Sequence, residues 1–222
     1  MIPLRDDNPS ASRPLTTYLI IAICTVVFLY MYSLGTEARQ AAFVTTWGAT
    51  PAEITGRAGS APVHAYETIL TSMFMHGGWL HLIGNMLYLW IFGDNVEDLM
   101  GHVGFGVFYL IAGIAATLAF VFLNAGSTVP LVGASGAIAG VLGAYLVLFP
   151  RARILSLVPF GFYSRLVEVP ALFFLPIWFL LQFLQGITDV AGTGGGVAWW
   201  AHVGGFVAGI LLVPIFVRRR RD

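Results

Sequence analysis

Charged residues are the scarcest class of side chain in this protein of 222 residues. They make up 10% of the sequence, and hydrophobic residues make up 58%. Soluble domains usually carry about 25% charged residues. The mean hydropathy is +0.83. This composition excludes an ordinary soluble domain and predicts an integral membrane protein.

Several further absences narrow the possible functions. Lysine is missing, and the 11 arginines are balanced by 11 acidic residues, so no basic patch indicates nucleic acid. The single cysteine, Cys24, cannot form an internal disulfide. The His-Glu-x-x-His pattern of zinc proteases is absent, and Asp94 has no obvious second intramembrane aspartate as a partner. We therefore expect no nucleic acid, no metal and no cofactor.

Apolar runs predict six membrane spans and an all-α, polytopic fold. The spans are residues 15–34, 80–96, 105–123, a short run from Ser135 to Phe149, 171–187 and 199–217. The long first loop, residues 35–79, mixes charges with aromatic side chains, which suits either the extracytoplasmic membrane interface or an ordinary loop. A flexible turn is expected at Gly192–Gly196. The predicted domains are a tail at 1–14, the membrane domain at 15–217 and a basic tail at 218–222.

The arginines predict the orientation in the membrane. With the amino terminus inside, six spans place nine of the 11 arginines in the cytoplasm, namely Arg5, Arg13, Arg151, Arg153, Arg165 and Arg218–Arg221. Cytoplasmic loops are enriched in arginine. Both termini are therefore expected in the cytoplasm, and the expected location is a bacterial inner (plasma) membrane.

The fourth span is too short to cross the bilayer. A helix from Ser135 to Phe149 would rise about 22 Å, whereas the hydrocarbon core is about 30 Å thick. If its Pro150 end lies at the cytoplasmic face, Ser135 lies below the opposite face. Irregular backbone at that depth is tolerated only where it is buried in protein or lines a water-filled cavity. The sequence therefore predicts a wet pocket with Ser135 at its floor.

Four polar residues are predicted at the same depth as this pocket. His81 and Asn85 lie four residues apart on the second span and share a helix face. Ser135 opens the fourth span, and His202 lies one turn into the sixth. Histidine can take the proton of a serine nucleophile at neutral pH. Acyl transfer also needs donors for the developing oxyanion, and His81, Asn85 and the backbone N–H of Ser135 can donate.

Small residues predict how the fourth and sixth spans meet. Gly133 permits a tight turn before the serine. Gly136 and Gly140 on the fourth span, and Ala201, Gly205 and Gly209 on the sixth, form patterns that let membrane helices pack closely. His202 shares a face with these sixth-span glycines, so close packing would bring its imidazole to the serine hydroxyl.

Each feature taken alone has a structural explanation. A Gly-x-Ser-Gly sequence occurs by chance in glycine-rich membrane helices, a lone asparagine can link helices, and a lone histidine can mark the interface. His76, Gln182 and Gln185 are interpreted as structural. The combination of serine, two histidines and asparagine at one depth is what indicates a catalytic site.

The motifs resemble the rhomboid family of intramembrane serine proteases across most of the chain. They are His76, His81 and Asn85, then Gly133-Ala134-Ser135-Gly136, then Ala201-His202-Val203-Gly204-Gly205. The resemblance implies a Ser135–His202 dyad without an acidic third member. It also implies an oxyanion site from His81, Asn85 and Ser135, a first loop partly in the outer leaflet, a lateral gate near the fifth span and a structural, hydrogen-bonding Glu97. The implied partners are the lipid bilayer and membrane-protein substrates whose transmembrane segment is easily unwound.

The chain departs from the family pattern in two places. Many members carry a Trp-Arg pair in the first loop, where this chain has Tyr66, Glu67 and Thr68. Many also have an aromatic residue one turn after the serine, where this chain has Ala139. Either Trp199 or Phe206 replaces that ring, or His202 is less tightly oriented.

The sequence favours an intramembrane serine endopeptidase that cuts near the extracytoplasmic face. One alternative is a catalytically inactive rhomboid-like protein that binds transmembrane helices, against which the intact Ser135 and His202 argue. A second is a small transporter, suggested by intramembrane polar residues, but no inverted repeat supports it.

Overall fold

The protein consists mainly of helices, in a computed structural model that describes residues 1–58, 64–160, 163–188 and 198–217. Both the predicted turn at Gly192–Gly196 and the predicted basic tail at 218–222 lie outside these ranges. In chain order, the elements are β1 (Ile2–Asp6), α1 (Leu15–Ser33), α2 (Glu37–Trp47), α3 (Pro51–Ile54), α4 (Thr68–Thr71), α5 (Trp79–Met100), α6 (His102–Leu123), α7 (Ser135–Leu148), β2 (Arg153–Phe160), β3 (Tyr163–Pro170), α8 (Ala171–Thr188) and α9 (Trp199–Phe216).

Several helices have the length and composition of membrane spans. Among the described residues, α1, α6 and α9 are long and apolar enough to cross a bilayer, and α7 and α8 contain shorter apolar stretches. Helix α5 has 22 residues and carries its acidic side chains near its carboxyl end. The chain is therefore a membrane protein, as the composition predicts. The count of six spans stays a prediction.

Helix α7 lies at the centre of the bundle. Every residue from Gly136 to Tyr145 is buried, and the helix packs against α5, α6 and α9. Its 14 residues rise about 21 Å. It ends at Leu148, two residues before Pro150, because the residue before a proline avoids the helical conformation. Phe149 accordingly has φ −131° and ψ 50°.

The glycine-bearing faces of α7 and α9 lie against each other. A Cβ atom on Gly205 would overlap the carbonyl oxygen of Gly136, and one on Gly209 would overlap that of Gly140. The two α7 glycines also face α6, where an added Cβ would lie 2.7 Å from Ala116 and 2.6 Å from Ala112. Without a hydrophobic driving force between helices in lipid, such close backbone contact is what holds them together.

A three-stranded antiparallel sheet, in the order β1-β2-β3, corrects the predicted all-α class. Strand β2 pairs with β3 along its whole length, and β1 pairs with β2 from Ile2 opposite Leu157 to Asp6 opposite Ile154. The sheet joins the segment before α1 to the segment between α7 and α8. Pairing forms because it satisfies backbone groups that neither segment satisfies alone.

Side chains also attach the amino-terminal segment to the helices. Asp98 accepts hydrogen bonds from the backbone N–H of Ser12, at 2.9 Å, and from its hydroxyl, at 2.5 Å. Asn95 Nδ2 donates to the carbonyl of Asn8 at 2.8 Å. The hydroxyl of Tyr145, near the end of α7, donates to Asp6. Partial burial of this contact raises the pKa of Asp6 to about 6.

Glu97 connects α1 to α5. Its carboxylate accepts hydrogen bonds from the backbone N–H groups of Thr16 and Thr17, at 2.8 Å each, and from the Thr17 hydroxyl at 2.7 Å. Nδ1 of His102 lies 2.6 Å from the same carboxylate. A buried anion at a helix amino terminus satisfies unpaired N–H groups and the helix dipole. Glu97 therefore makes the structural hydrogen bonds that the family resemblance implies.

The packing of α7 on α9 predicts that Gly209→Ala lowers stability. The added methyl group must displace the backbone of Gly140, and overpacking of this kind costs about 1–3 kcal/mol. Gly84→Ala on α5 is the matched control, because a Cβ there meets nothing within 4 Å and alanine favours helix by about 1 kcal/mol. Thermal unfolding in detergent should give a lower midpoint for Gly209→Ala only. Equal midpoints for the two variants would contradict the close contact.

Candidate active site

Ser135 and His202 are in direct contact. Nε2 of His202 lies 2.8 Å from Oγ of Ser135. Ser135 is the first residue of α7 and is partly exposed, whereas His202, in the first turn of α9, is buried. The close packing of α7 on α9 brings these residues together across 67 positions of sequence. A serine hydroxyl with a base in hydrogen-bond reach is the basic arrangement of nucleophilic catalysis.

The turn before Ser135 requires glycine at position 133. Gly133 has φ +137°, a conformation that residues with a side chain rarely adopt. A Cβ there would also lie 2.8 Å from Nε2 of His81 and 3.5 Å from Oγ of Ser135. The N–H of Gly133 donates to the carbonyl of Ser72 at 2.9 Å. Gly133 therefore lets the turn fit closely between His81 and the serine.

His81 and Asn85 present donors from α5. The N–H of Gly77 donates to Nδ1 of His81 at 3.4 Å, so a neutral ring carries its proton on Nε2, the nitrogen beside Gly133. Asn85 is buried, and its Nδ2 has no hydrogen-bond partner within the described ranges. Leaving a buried donor unpaired costs about 1–3 kcal/mol. These two groups are therefore suited to bind an oxygen that carries developing charge.

His76 supports His81 from the loop before α5. The two rings pack edge to face, with centroids 5.1 Å apart, and His76 is fully buried. This contact agrees with the structural interpretation of His76.

The surroundings of His202 include two side chains that sequence reasoning missed. The ring of Trp178 on α8 lies 6.0 Å from the imidazole, at 36° to its plane. Oε1 of Gln182, one turn further along α8, lies 2.6 Å from Nδ1. Gln182 was predicted to be only structural. Its spacing of four residues from an aromatic side chain, on one face of an apolar helix, was the available signal.

Two tryptophan rings therefore contact His202, where many family members use an aromatic residue at the position of Ala139. Trp199, one of the two rings expected to fill this role, packs edge to face on His202 with centroids 6.1 Å apart. Phe206, the other candidate, stacks on Phe179 at 4.8 Å. Trp178 supplies the second ring against His202.

These features define a helical membrane protein with a serine–histidine pair at the amino end of a short central helix. A sequence model of the Rhomboid domain matches residues 64–219. This is more than half of the chain, and the protein belongs to the rhomboid family.

Curated relatives agree with this assignment. RHOMBOID-like protein 1 of Arabidopsis thaliana is 33% identical over 163 residues, 72% of this chain and 37% of that protein. Rhomboid protein 1, mitochondrial, of Saccharomyces cerevisiae is 33% identical over 150 residues, 65% of this chain and 40% of that protein. Rhomboid protease GluP of Bacillus subtilis is 36% identical over 135 residues, 60% of this chain and 24% of that protein. The chain thus spans less than half the length of these relatives.

The Nδ2 donor of Asn85, which has no partner among the described residues, predicts a specific loss on substitution. Asn85→Ala should lower kcat by roughly 10²- to 10³-fold if the amide is a full oxyanion donor, with little change in KM. Steady-state cleavage of a model substrate in detergent would measure both constants.

Asn95→Ala is the matched control for this experiment. Asn95 is also a buried α5 asparagine, but it lies ten residues, or about 15 Å, further along the helix. This control can lower stability but should leave kcat of the folded protein unchanged. A normal kcat for Asn85→Ala would reassign Asn85 to helix packing.

Proposed function

We propose that this protein is an intramembrane serine endopeptidase of the rhomboid type, which cleaves transmembrane segments of membrane proteins near the extracytoplasmic face. The observation that carries the proposal is the 2.8 Å contact between Ser135 Oγ and His202 Nε2. The contact lies in a membrane protein whose family includes a relative named as a protease.

The proposed acylation step uses this geometry. As Oγ of Ser135 forms a bond to the scissile carbonyl carbon, its proton passes to Nε2 of His202. The π electrons of the carbonyl move onto its oxygen. Nε2–H of His81, the amide of Asn85 and the N–H of Ser135 are the donors for this oxyanion. When the carbonyl re-forms, the C–N bond breaks and the leaving amine takes the proton from Nε2.

Deacylation repeats the same steps with water as the nucleophile. Nε2 of His202 accepts a proton from the water as its oxygen attacks the ester carbon. Collapse of the second tetrahedral intermediate breaks the bond to Oγ, and Nε2 returns the proton to Ser135. The net change is the addition of one water across the peptide bond, which yields a carboxylic acid and an amine.

The proposed topology has α1, α5, α6, α7, α8 and α9 as the six spans, with both termini in the cytoplasm of a bacterial cell. The arginine distribution supports this orientation. It puts the β1-β2-β3 sheet at the cytoplasmic face and the amino end of α7 in the outer half of the bilayer. The 21 Å rise of α7, against about 30 Å of hydrocarbon, supports a site below the outer surface.

The nucleophile can be tested directly with a fluorophosphonate probe on the purified protein in detergent. We expect labelling of the wild type at Ser135, measured by mass spectrometry, and none of Ser135→Ala. Proteolysis should be lost in the same variant with little change in thermal stability, because only one partly exposed oxygen is removed. Ser33→Ala, which removes an exposed hydroxyl on α1, should be labelled and active like the wild type.

The outcomes of this test separate the competing functions. Labelling at another residue would show that the nucleophile lies elsewhere. A folded wild type with neither labelling nor proteolysis would favour the inactive, helix-binding alternative.

The depth of Ser135 predicts where substrates are cut. Only the outer part of a substrate helix can reach it, and the scissile segment must unwind to expose its carbonyl. Glycine or proline near the outer end of the span lowers the cost of unwinding, and the crowded turn at Gly133 favours a small residue before the cut. Mass spectrometry of the products should place cleavage at or just inside the extracytoplasmic boundary. A cut at the midplane or on the cytoplasmic side would overturn the proposed depth and topology.

A further inference from the structure

The imidazole of His202, on α9, contacts polar side chains from two other helices. Its Nε2 contacts Ser135 on α7, the ring itself belongs to α9, and its Nδ1 lies 2.6 Å from Oε1 of Gln182 on α8. Neither hydrogen bond involves a carboxylate. The second nitrogen of the base therefore has an uncharged partner.

The chemistry of the base requires one tautomer of this ring. Nε2 can take the proton of Ser135 only if it has a lone pair, so the neutral ring must carry its proton on Nδ1. In the buried environment of His202, an Nδ1–H group without an acceptor would be costly. The amide oxygen of Gln182 is such an acceptor. The hydrogen bond from Nδ1–H to this oxygen also persists when Nε2 of the ring gains a proton during acylation.

Trp178 adds a second contact from the same helix. It lies four residues before Gln182, so both side chains project from one face of α8 toward the imidazole. The indole packs at 36° to the ring plane with centroids 6.0 Å apart. A ring contact limits the tilt of the imidazole, and the hydrogen bond limits its rotation. Together they supply the orientation that the absent aromatic at Ala139 would otherwise provide.

We propose that Gln182 is the positioning residue of the catalytic site, and that it holds His202 in the Nδ1–H tautomer with Nε2 directed at Ser135. This inference rests on the proposed function. An amide suits this place because burying a neutral acceptor costs much less than burying a carboxylate. The acceptor comes from α8, whereas the nucleophile and the base come from α7 and α9. The site is therefore complete only while α8 is packed against the imidazole.

Gln182→Leu tests the proposal, because leucine removes the acceptor while keeping a side chain of similar size. We expect kcat to fall by about 10- to 100-fold, the loss of one buried hydrogen bond to the base, with KM unchanged. Gln182→Glu keeps an acceptor oxygen and should recover most of the activity that Gln182→Leu loses. Gln185→Leu makes the same change at an exposed position of α8 and should leave kcat unchanged. Wild-type kcat in Gln182→Leu would overturn the inference.

A measurement that needs no turnover keeps the inference distinct from the proposed function. Nitrogen NMR of protein with ¹⁵N-labelled histidine, with His202 assigned from the spectrum of His202→Ala, reports the tautomer. We expect Nδ1–H in the wild type and a shift toward Nε2–H in Gln182→Leu. An Nε2–H ring in the wild type would mean that the amide group of Gln182 donates instead, and would overturn the inference.

These experiments can contradict the positioning role and the proposed protease activity separately. Labelling of Ser135 together with an unchanged kcat in Gln182→Leu overturns the positioning role and leaves the proposed protease intact. Absence of labelling in the folded wild type overturns the protease, and the NMR tautomer still supports or overturns the hydrogen bond by itself.

Discussion

The close contact between α7 and α9 is the constraint on which the rest of the site depends. Two helices in lipid gain little from hydrophobic association, so their stability comes from packing and polar contacts. Gly205 and Gly209 allow the backbone of α9 to reach that of α7. Since Ser135 opens α7 and His202 lies in the first turn of α9, the same contact sets the 2.8 Å separation of hydroxyl and imidazole. The packing of α7 on α9 and the proposed catalytic geometry therefore depend on the same contact.

The site distributes its polar groups over four helices and leaves only some of them paired. His202 is bonded at both nitrogens, which orients it. The Nδ2 donor of Asn85, by contrast, is buried without a partner in the described ranges. An unpaired donor destabilises the resting protein but is available to a developing charge without reorganisation. In the proposed mechanism, orientation of the base and availability of the donors are thus achieved by opposite means.

The opposite end of the bundle is stabilised by hydrogen bonds between segments distant in sequence. The sheet, the carboxylate of Glu97 and the contact of Tyr145 with Asp6 all join the segment preceding α1, or α1 itself, to later elements. The short runs at 153–160 and 163–170, which contain β-branched and aromatic residues, were the available signal for β2 and β3. Their arginines, Arg153 and Arg165, were used only to predict a cytoplasmic location. No local pattern could have identified β1, because its partner strand lies about 150 positions away.

The sequence by itself determined the membrane class, the short α7 helix that begins at Ser135, the serine and histidine that the structure brings into contact, and the glycine faces that pack. These depend on hydropathy and on spacing along one element, which are local properties. Only the tertiary structure decided that Gln182 and Trp178 contact His202, that Nδ2 of Asn85 has no partner among the described residues, and that the amino-terminal segment joins a sheet. Spacing along a helix shows which residues share a face. It does not show which neighbour that face meets, because the rotation of α8 about its axis and its docking on α9 are set by the packing of the whole bundle.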